Sequence, residues 1–244
     1  MENDDLRRGI VSQYHDSPTA GHPGATSTLF SISQDYWWPK IKDFICQYVR
    51  GCAICQANKA DTTRSKPLLF PISPVHNTAP FSTILIDWIT KLPVSLGFDS
   101  IMTITDHDVS KMAIFVPCRE SQGAEEMAWL YVQHVLPYYG LPDKIISDRD
   151  PRITSQYFAD ICTLLEISKN TSTAYHPQID GQSECTNQTL EVFLCIYCNH
   201  RQDNWARYLP LAQFAINSRP SATTKHSLFE VLMGFLPKGH QVFR

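Results

Sequence analysis

The chain has 244 residues, 43% of them hydrophobic and 18% charged, with a formal net charge of −3. This is an ordinary globular composition, long enough for one large core and a small satellite domain. The opening MENDDLRRG is too polar for a secretory signal, and no apolar run approaches the roughly 18 residues of a membrane helix, so a soluble, unsecreted, intracellular protein with no membrane partner is expected.

Helical patterning opens the chain, near residues 5–15 and 24–32. A third segment, WWPKIKDFICQYVRGC, sets Trp38, Ile41, Phe44, Ile45, Tyr48 and Val49 on one stripe at the 3.6-residue period, with Pro39 suited to its first turn. An all-α three-helix head over residues 1–58 is predicted. At that size a hydrophobic core alone is marginal, and a metal staple helps. Residues 59–80 read as a linker, because Pro67, Pro71, Pro74 and Pro80 forbid a continuing helix and favour extended backbone. Lys59, Arg64 and Lys66 in this stretch suit phosphate contacts and equally suit ordinary linker charges.

Strand patterning follows. FSTILIDWIT, SIMTITD and KMAIFVPC are three β-rich runs with short gaps, the signature of an antiparallel meander. A helical run, AEEMAWLYVQHVLPYY, stops at Gly140-Leu141-Pro142. KIIS is then a short buried strand, TSQYFADICTLLE a helix and ISKNTST a last strand, with two or three helices from about 181 to 233. Residues 81–240 are thereby predicted as an α/β domain with a five-stranded mixed sheet flanked by helices.

Eight cysteines without a secretory signal point to reduced thiols and metal binding rather than a disulfide framework. His15 and His22 have six residues between them, and Cys52 and Cys55 follow as C-x2-C. Zinc wants four N or S ligands in a tetrahedron, and two such close pairs within one small helical unit provide them. Either histidine alone would pass for a surface or capping residue, and the cysteines alone for a buried or redox pair. A second C-x2-C, Cys195 and Cys198, has no further ligand pair at zinc spacing and reads as packing cysteines.

Three carboxylates stand out in the second domain. Asp87 interrupts the apolar strand Ile84-Leu85-Ile86-Asp87-Trp88-Ile89, where an unpaired carboxylate is costly. Asp148 ends the strand KIIS, where a chain leaves a sheet and sites commonly form. Glu184 opens a helix after Asp180-Gly181, on a polar ridge with Asn187, Gln188 and Glu191. Taken singly, a salt bridge, a cap and a solvated face explain them as well. Together they read Asp-x60-Asp-x35-Glu. If they converge, like charges at about 4 Å repel by roughly 4 kcal/mol at an effective dielectric of 20, which calls for cations between them. Oxygen-only ligands point to Mg2+ or Mn2+, two ions serving in-line displacement at phosphorus.

These blocks resemble a known family. HDSPTAGHPGATSTLF with YWWPKIKDFICQYVRGCAICQANK, including the 29 residues between His22 and Cys52, is similar to the His-His-Cys-Cys head of gypsy-type LTR-retrotransposon integrases. ILIDWITKLP, GLPDKIISDRDPRITSQYF and TAYHPQIDGQSECTNQTLE resemble the three carboxylate blocks of the same integrases, within the retroviral integrase superfamily.

The resemblance covers about residues 10–240 and implies an RNase H-like core. In it Asp87, Asp148 and Glu184 hold two Mg2+ or Mn2+ ions and are catalytic, and His15, His22, Cys52 and Cys55 hold structural zinc. Asp150 is excluded as a loop neighbour. The resemblance further implies 3′-processing and strand transfer of element cDNA into host DNA. Expected with it are DNA as partner, self-association and residence in the nucleus. The stretch Tyr175-His176-Pro177-Gln178 is similar to the active-site loop that touches DNA ends, so Tyr175 and Gln178 are expected DNA contacts, with Asn187, Gln188, Lys59, Arg64 and Lys66 as further candidates.

Two departures are read from the resemblance. The basic β-barrel or chromodomain that usually follows the core is expected to be absent, and Cys185 and Thr186 stand where relatives usually carry a basic and an apolar residue. An inactive or host-adopted DNA- or protein-binding module is the alternative, and a cut-and-paste transposase or RNase H a weaker one, since neither would bring the His-His-Cys-Cys head.

Overall fold

A computed structural model describes residues 2–58, 79–147, 168–171, 177–220 and 226–239. The side chains at 2, 3, 124, 144, 168–171 and 177–185 lie outside that description. The chain forms two compact units. One comprises Met1–Ser65, Leu190–Cys198 and Pro210–Arg244, and the other Lys66–Thr189 and Asn199–Leu209.

In the first unit α1 (Glu2–His15), α2 (Ala25–Ser33) and α3 (Ile41–Arg50) pack together, and the short α4 (Ala53–Asn58) follows. Ile10, Val11 and Tyr14 of α1, Ile32 of α2 and Ile45 of α3 form the buried cluster, joined by Trp38. Tyr14 donates to the Asp35 carboxylate at 2.8 Å, and burial together with that carboxylate pushes its hydroxyl far above the usual phenol range. The third helix begins later than its apolar stripe predicts. Lys40 adopts a left-handed φ of 61°, so the chain turns there and the helix starts at Ile41 rather than near Pro39. Trp38 reaches the core from that turn and meets Phe44 edge-on at 6.1 Å. A left-handed residue is a feature that apolar periodicity does not encode.

The late segments of this unit come from three helices, α7 (Pro177–Tyr197), α8 (Trp205–Asn217) and α9 (Leu228–Met233). The last is short but fully capped. Ser227 Oγ accepts from Glu230 N at 3.1 Å, Glu230 Oε2 accepts from Ser227 N at 2.8 Å, and Gly234 closes the far end at φ 78°. The second C-x2-C does not pack as predicted. Cys195 is exposed and Cys198 is half-buried. Burial and the neighbouring Cys195 push the Cys198 thiol up to about 11, so it stays protonated at neutral pH.

The second unit is built on a five-stranded sheet in the order β3-β2-β1-β4-β5, from β1 (Thr83–Ile89), β2 (Ser100–Asp106), β3 (Ala113–Cys118), β4 (Lys144–Ser147) and β5 (Ser168–Thr171). The meander β1-β2-β3 is antiparallel, and β4 and β5 add in parallel, giving the predicted mixed sheet. All seven residues of β2 are buried, so both faces of the sheet are covered at its antiparallel centre.

Helix α5 (Ala124–His134) packs on β3 and buries Met127, Ala128 and Tyr131. The helical run predicted to continue through residue 139 breaks at Val135 and resumes as α6 (Leu136–Tyr139). Pro137 has no N–H to give the preceding turn, which accounts for the break. Tyr139 stacks on Phe81 at 4.0 Å, and Trp205 Nε1 donates to Pro93 O at 2.6 Å. No described helix is long and apolar enough to cross a membrane.

Ile104 lies in the centre of β2 with no exposed surface. Ile104→Ala leaves a cavity under a covered face of the sheet and is expected to cost about 2–5 kcal/mol. Urea unfolding of the variant beside the parent measures it.

Candidate metal centre and acidic face

His15 ends α1, His22 closes the loop that follows, and Cys52 and Cys55 flank the first turn of α4. The four side chains converge, with one ligand atom from each lying within 4.8 Å of all the others. His15 is fully buried, His22 and Cys55 nearly so, and Cys52 is half-buried. Cys55 Sγ lies 3.5 Å from His15 Nε2 and 3.7 Å from His22 Nδ1, and Cys52 Sγ lies 3.5 Å from His22 Nδ1. Zinc–sulfur bonds of about 2.3 Å and zinc–nitrogen bonds of about 2.05 Å in a tetrahedron imply S···N edges of about 3.6 Å. The spacing therefore fits a zinc ion, and so does the donor set.

The surroundings orient the ligands. His15 presents Nε2 to the centre while its Nδ1 faces Thr28 Oγ1 at 3.5 Å, the outer contact expected of a metal-bound imidazole. The two imidazoles meet edge-on at 4.9 Å. Asp16 stands just outside the ligand set, its Oδ1 at 4.0 Å from His15 Nε2 and 3.9 Å from His22 Nδ1, and its Oδ2 accepts from Tyr48 OH at 2.6 Å. Burial and that carboxylate raise the Tyr48 hydroxyl above its ordinary range, so Tyr48 remains a donor.

The acidic face is built around Asp87, the fifth residue of β1. It is half-buried, with Oδ1 accepting from the Trp88 backbone N–H at 2.8 Å and Oδ2 accepting from Asn187 Nδ2 at 2.7 Å. The second bond runs from α7 to the sheet, so the face of α7 carrying Asn187 is turned to Asp87. Glu184 occupies the same helix three residues earlier, a spacing that puts both positions on one side of α7. Its side chain lies outside the described residues. β4 ends at Ser147, which pairs with Ile86, the neighbour of Asp87. Asp148 is the next residue in the chain and lies outside the described residues, as does Asp150.

Thr103, which sequence patterning does not single out, pairs directly with Asp87 across β1 and β2 and so shares its face. Its hydroxyl is buried and has no hydrogen-bond partner among the described residues, and the same holds for Asn187 Oδ1. A carboxylate beside two buried oxygens that lack hydrogen-bond partners among the described residues is the kind of surrounding a hard divalent cation and its water take. In sequence Thr103 is one threonine in an alternating strand, with nothing to mark it.

Helix α7 starts at Pro177, four residues before the predicted start after Asp180-Gly181, so Glu184 sits about two turns inside the helix instead of opening it. Pro177 suits a first helical position, and Gly181 weakens a helix by about 1 kcal/mol without stopping it. The stretch read as an active-site loop therefore already belongs to the helix at Pro177 and Gln178. Gln178 has a described backbone only. Gln188 is exposed, whereas the amide of Asn187 is committed to Asp87. Tyr175, Lys59, Arg64 and Lys66 lie outside the described residues.

Residues 2–61 match the family described as the integrase zinc binding domain. Over 232 residues, 95% of the chain, the sequence is 34% identical to the Transposon Tf2-3 polyprotein of Schizosaccharomyces pombe, and equally to the Tf2-4 polyprotein. The chain spans 17% of the length of these curated relatives. Among solved structures, it is similar to a chain of the simian T-cell lymphotropic virus intasome in complex with the PP2A regulatory subunit B56 gamma. The TM-score is 0.59 at 15% identity, over 93% of this chain and 78% of that one, a likeness of fold.

Cobalt substituted for zinc reads the metal centre directly. The parent is expected to show tetrahedral Co2+ absorption with sulfur-to-metal charge transfer from two thiolates, and Cys55→Ser a weaker band from one. Octahedral-type absorption in the parent would reject the four-ligand centre.

Proposed function

We propose, for a chain that belongs to the gypsy-type integrase family of LTR retrotransposons, that it is a DNA strand transferase joining the ends of element cDNA to host DNA. The observation that carries this reading is the Asn187–Asp87 hydrogen bond, which turns the Glu184-bearing side of α7 toward a carboxylate set in the middle of a buried sheet. With β4 ending beside Ile86 and leading straight into Asp148, the order of elements supports a single site for Asp87, Asp148 and Glu184.

In the proposed chemistry Asp87, Asp148 and Glu184 hold divalent cations, Mg2+ or Mn2+. When bound, these ions activate the attacking oxygen and offset charge on the leaving one. Asn187 holds the Asp87 carboxylate in one orientation, and Trp88 N–H fixes its other oxygen, so little reorganisation is required of this ligand. Water attacks a phosphodiester near the cDNA 3′ end and leaves a 3′-hydroxyl, which then attacks a target phosphodiester. Each step exchanges one P–O bond for another, so no covalent protein intermediate and no side-chain nucleophile is involved. Tyr175, Gln178 and Gln188 are the proposed contacts to the DNA ends, with Lys59, Arg64 and Lys66 on phosphates. Joining two ends together calls for more than one copy of the chain, and a host-DNA target places the activity in the nucleus.

Resealing of a pre-branched DNA substrate in Mn2+, the reverse of strand transfer, tests this reading, because the branched substrate already holds the DNA arms together. The parent is expected to reseal it, and Asp87→Asn and Glu184→Gln to lose about 100-fold or more. Equal resealing by Asp87→Asn would remove Asp87 from the site. No product from a folded, zinc-loaded parent would favour an inactive or host-adopted binding module.

A further inference from the structure

The loop joining the two histidine ligands is short and bent. Gly21 and His22 both take left-handed backbone, at φ 70° and 48°, and His22 N–H closes the loop on His15 O at 3.0 Å. A left-handed conformation is unfavourable for a non-glycine residue, so the position of His22 has to be held by something outside the loop. Nothing in α2, α3 or α4 donates to the loop carbonyls of Asp16, Ser17 and Gly21 among the described bonds.

The donors come from much later in the chain, within the same compact unit. Tyr197, the last residue of α7, donates its hydroxyl to Ser17 O at 3.0 Å and to Asp16 O at 3.2 Å, and its ring lies 5.9 Å from the His22 imidazole. Arg219, just after α8, donates Nη2 to Gly21 O at 2.8 Å. Gly21 itself is pressed against both helices, since a Cβ there would meet Ala215 Cβ and the Phe193 ring at 2.9 Å. Phe193 in turn lies 4.6 Å from the Tyr197 ring. Arg219 is half-buried and makes no ion pair among the described residues, and its Nε is buried without a hydrogen-bond partner there. A cation partly withdrawn from water is costly unless its contacts compensate it, and the Gly21 carbonyl is the hydrogen-bond acceptor it meets here.

We infer that Tyr197 and Arg219 are positioning residues of the zinc centre, clamping the His15–His22 loop so that His22 stays in ligand geometry. Neither falls within residues 2–61, the segment that matches the zinc-binding family. The four-ligand head is then only part of the metal site, and zinc retention depends on chain that arrives some 140 residues after the last ligand, Cys55. The inference rests on the zinc geometry alone and does not require the strand-transfer reading.

The test uses the whole zinc-loaded chain and a chromophoric chelator competing for zinc, together with the Co2+ absorption spectrum. Tyr197→Phe removes one hydroxyl without changing ring packing, and Arg219→Met removes the carbonyl contact while keeping the aliphatic stem. Each is expected to weaken zinc binding about 10–100-fold, with the Co2+ bands shifted. Ile104→Ala, which destabilises the sheet of the other unit, serves as control and is expected to lower the melting temperature while leaving zinc affinity within about twofold. If Arg219→Met fails to fold, Tyr197→Phe decides alone. Zinc affinity of Tyr197→Phe equal to the parent's, or lost only in step with Ile104→Ala, would overturn the inference.

Discussion

A carboxylate placed five residues into a seven-residue hydrophobic strand has to be compensated, or it costs several kcal/mol of a stability that is itself marginal. Asp87 is compensated locally by one backbone N–H and distantly by Asn187, a residue 100 positions away. That second bond organises the acidic face. It holds the middle of α7, at Asn187, against β1, and Glu184 lies three residues earlier on the same helix. Beside it Thr103 and Asn187 Oδ1 keep buried oxygens without hydrogen-bond partners among the described residues. A protein built only for stability would satisfy these atoms or replace them with methyl groups. Their retention next to a carboxylate supports the proposal that this face takes up a hydrated cation.

The zinc centre follows a different logic. A small helical unit with a modest core gains folding free energy from its metal, and the S···N edges of 3.5–3.7 Å leave little adjustment for the ion to impose. The weak point is the left-handed turn at Gly21 and His22. Hydrogen bonds from Tyr197 and Arg219 supply there what the head lacks, and so the metal centre and the late helices of that unit stabilise one another.

Much of this was legible in the chain. The β-rich runs TILIDWI, SIMTITD and AIFVPC, set apart by short gaps, marked β1, β2 and β3, because strands buried on both faces are near-continuously apolar and β-branched. The His15/His22 and Cys52/Cys55 pairs marked the metal centre, because no other arrangement of those residue types in so small a unit explains both. What was not legible depended on long-range packing or on single backbone torsions. Lys40 in a left-handed conformation delays α3 past an intact apolar stripe, and Pro137 divides a run that looks continuous. Gly181 resembled a boundary but lies inside a helix that Pro177 had already begun. Asn187 reads as one more polar residue on a helix ridge, and Tyr197 as one more aromatic on its apolar stripe, until the strand and the loop they bond to are brought beside them.

Asp87 is proposed to belong to a divalent-cation site distinct from the zinc centre. Anomalous diffraction from crystals grown with Mn2+, recorded at the zinc and manganese edges, separates the two. The account predicts a zinc peak among His15, His22, Cys52 and Cys55, and a manganese peak within about 2.2 Å of an Asp87 oxygen. A manganese peak that avoids Asp87, with the Asn187 and Trp88 hydrogen bonds to that carboxylate unchanged, would contradict it.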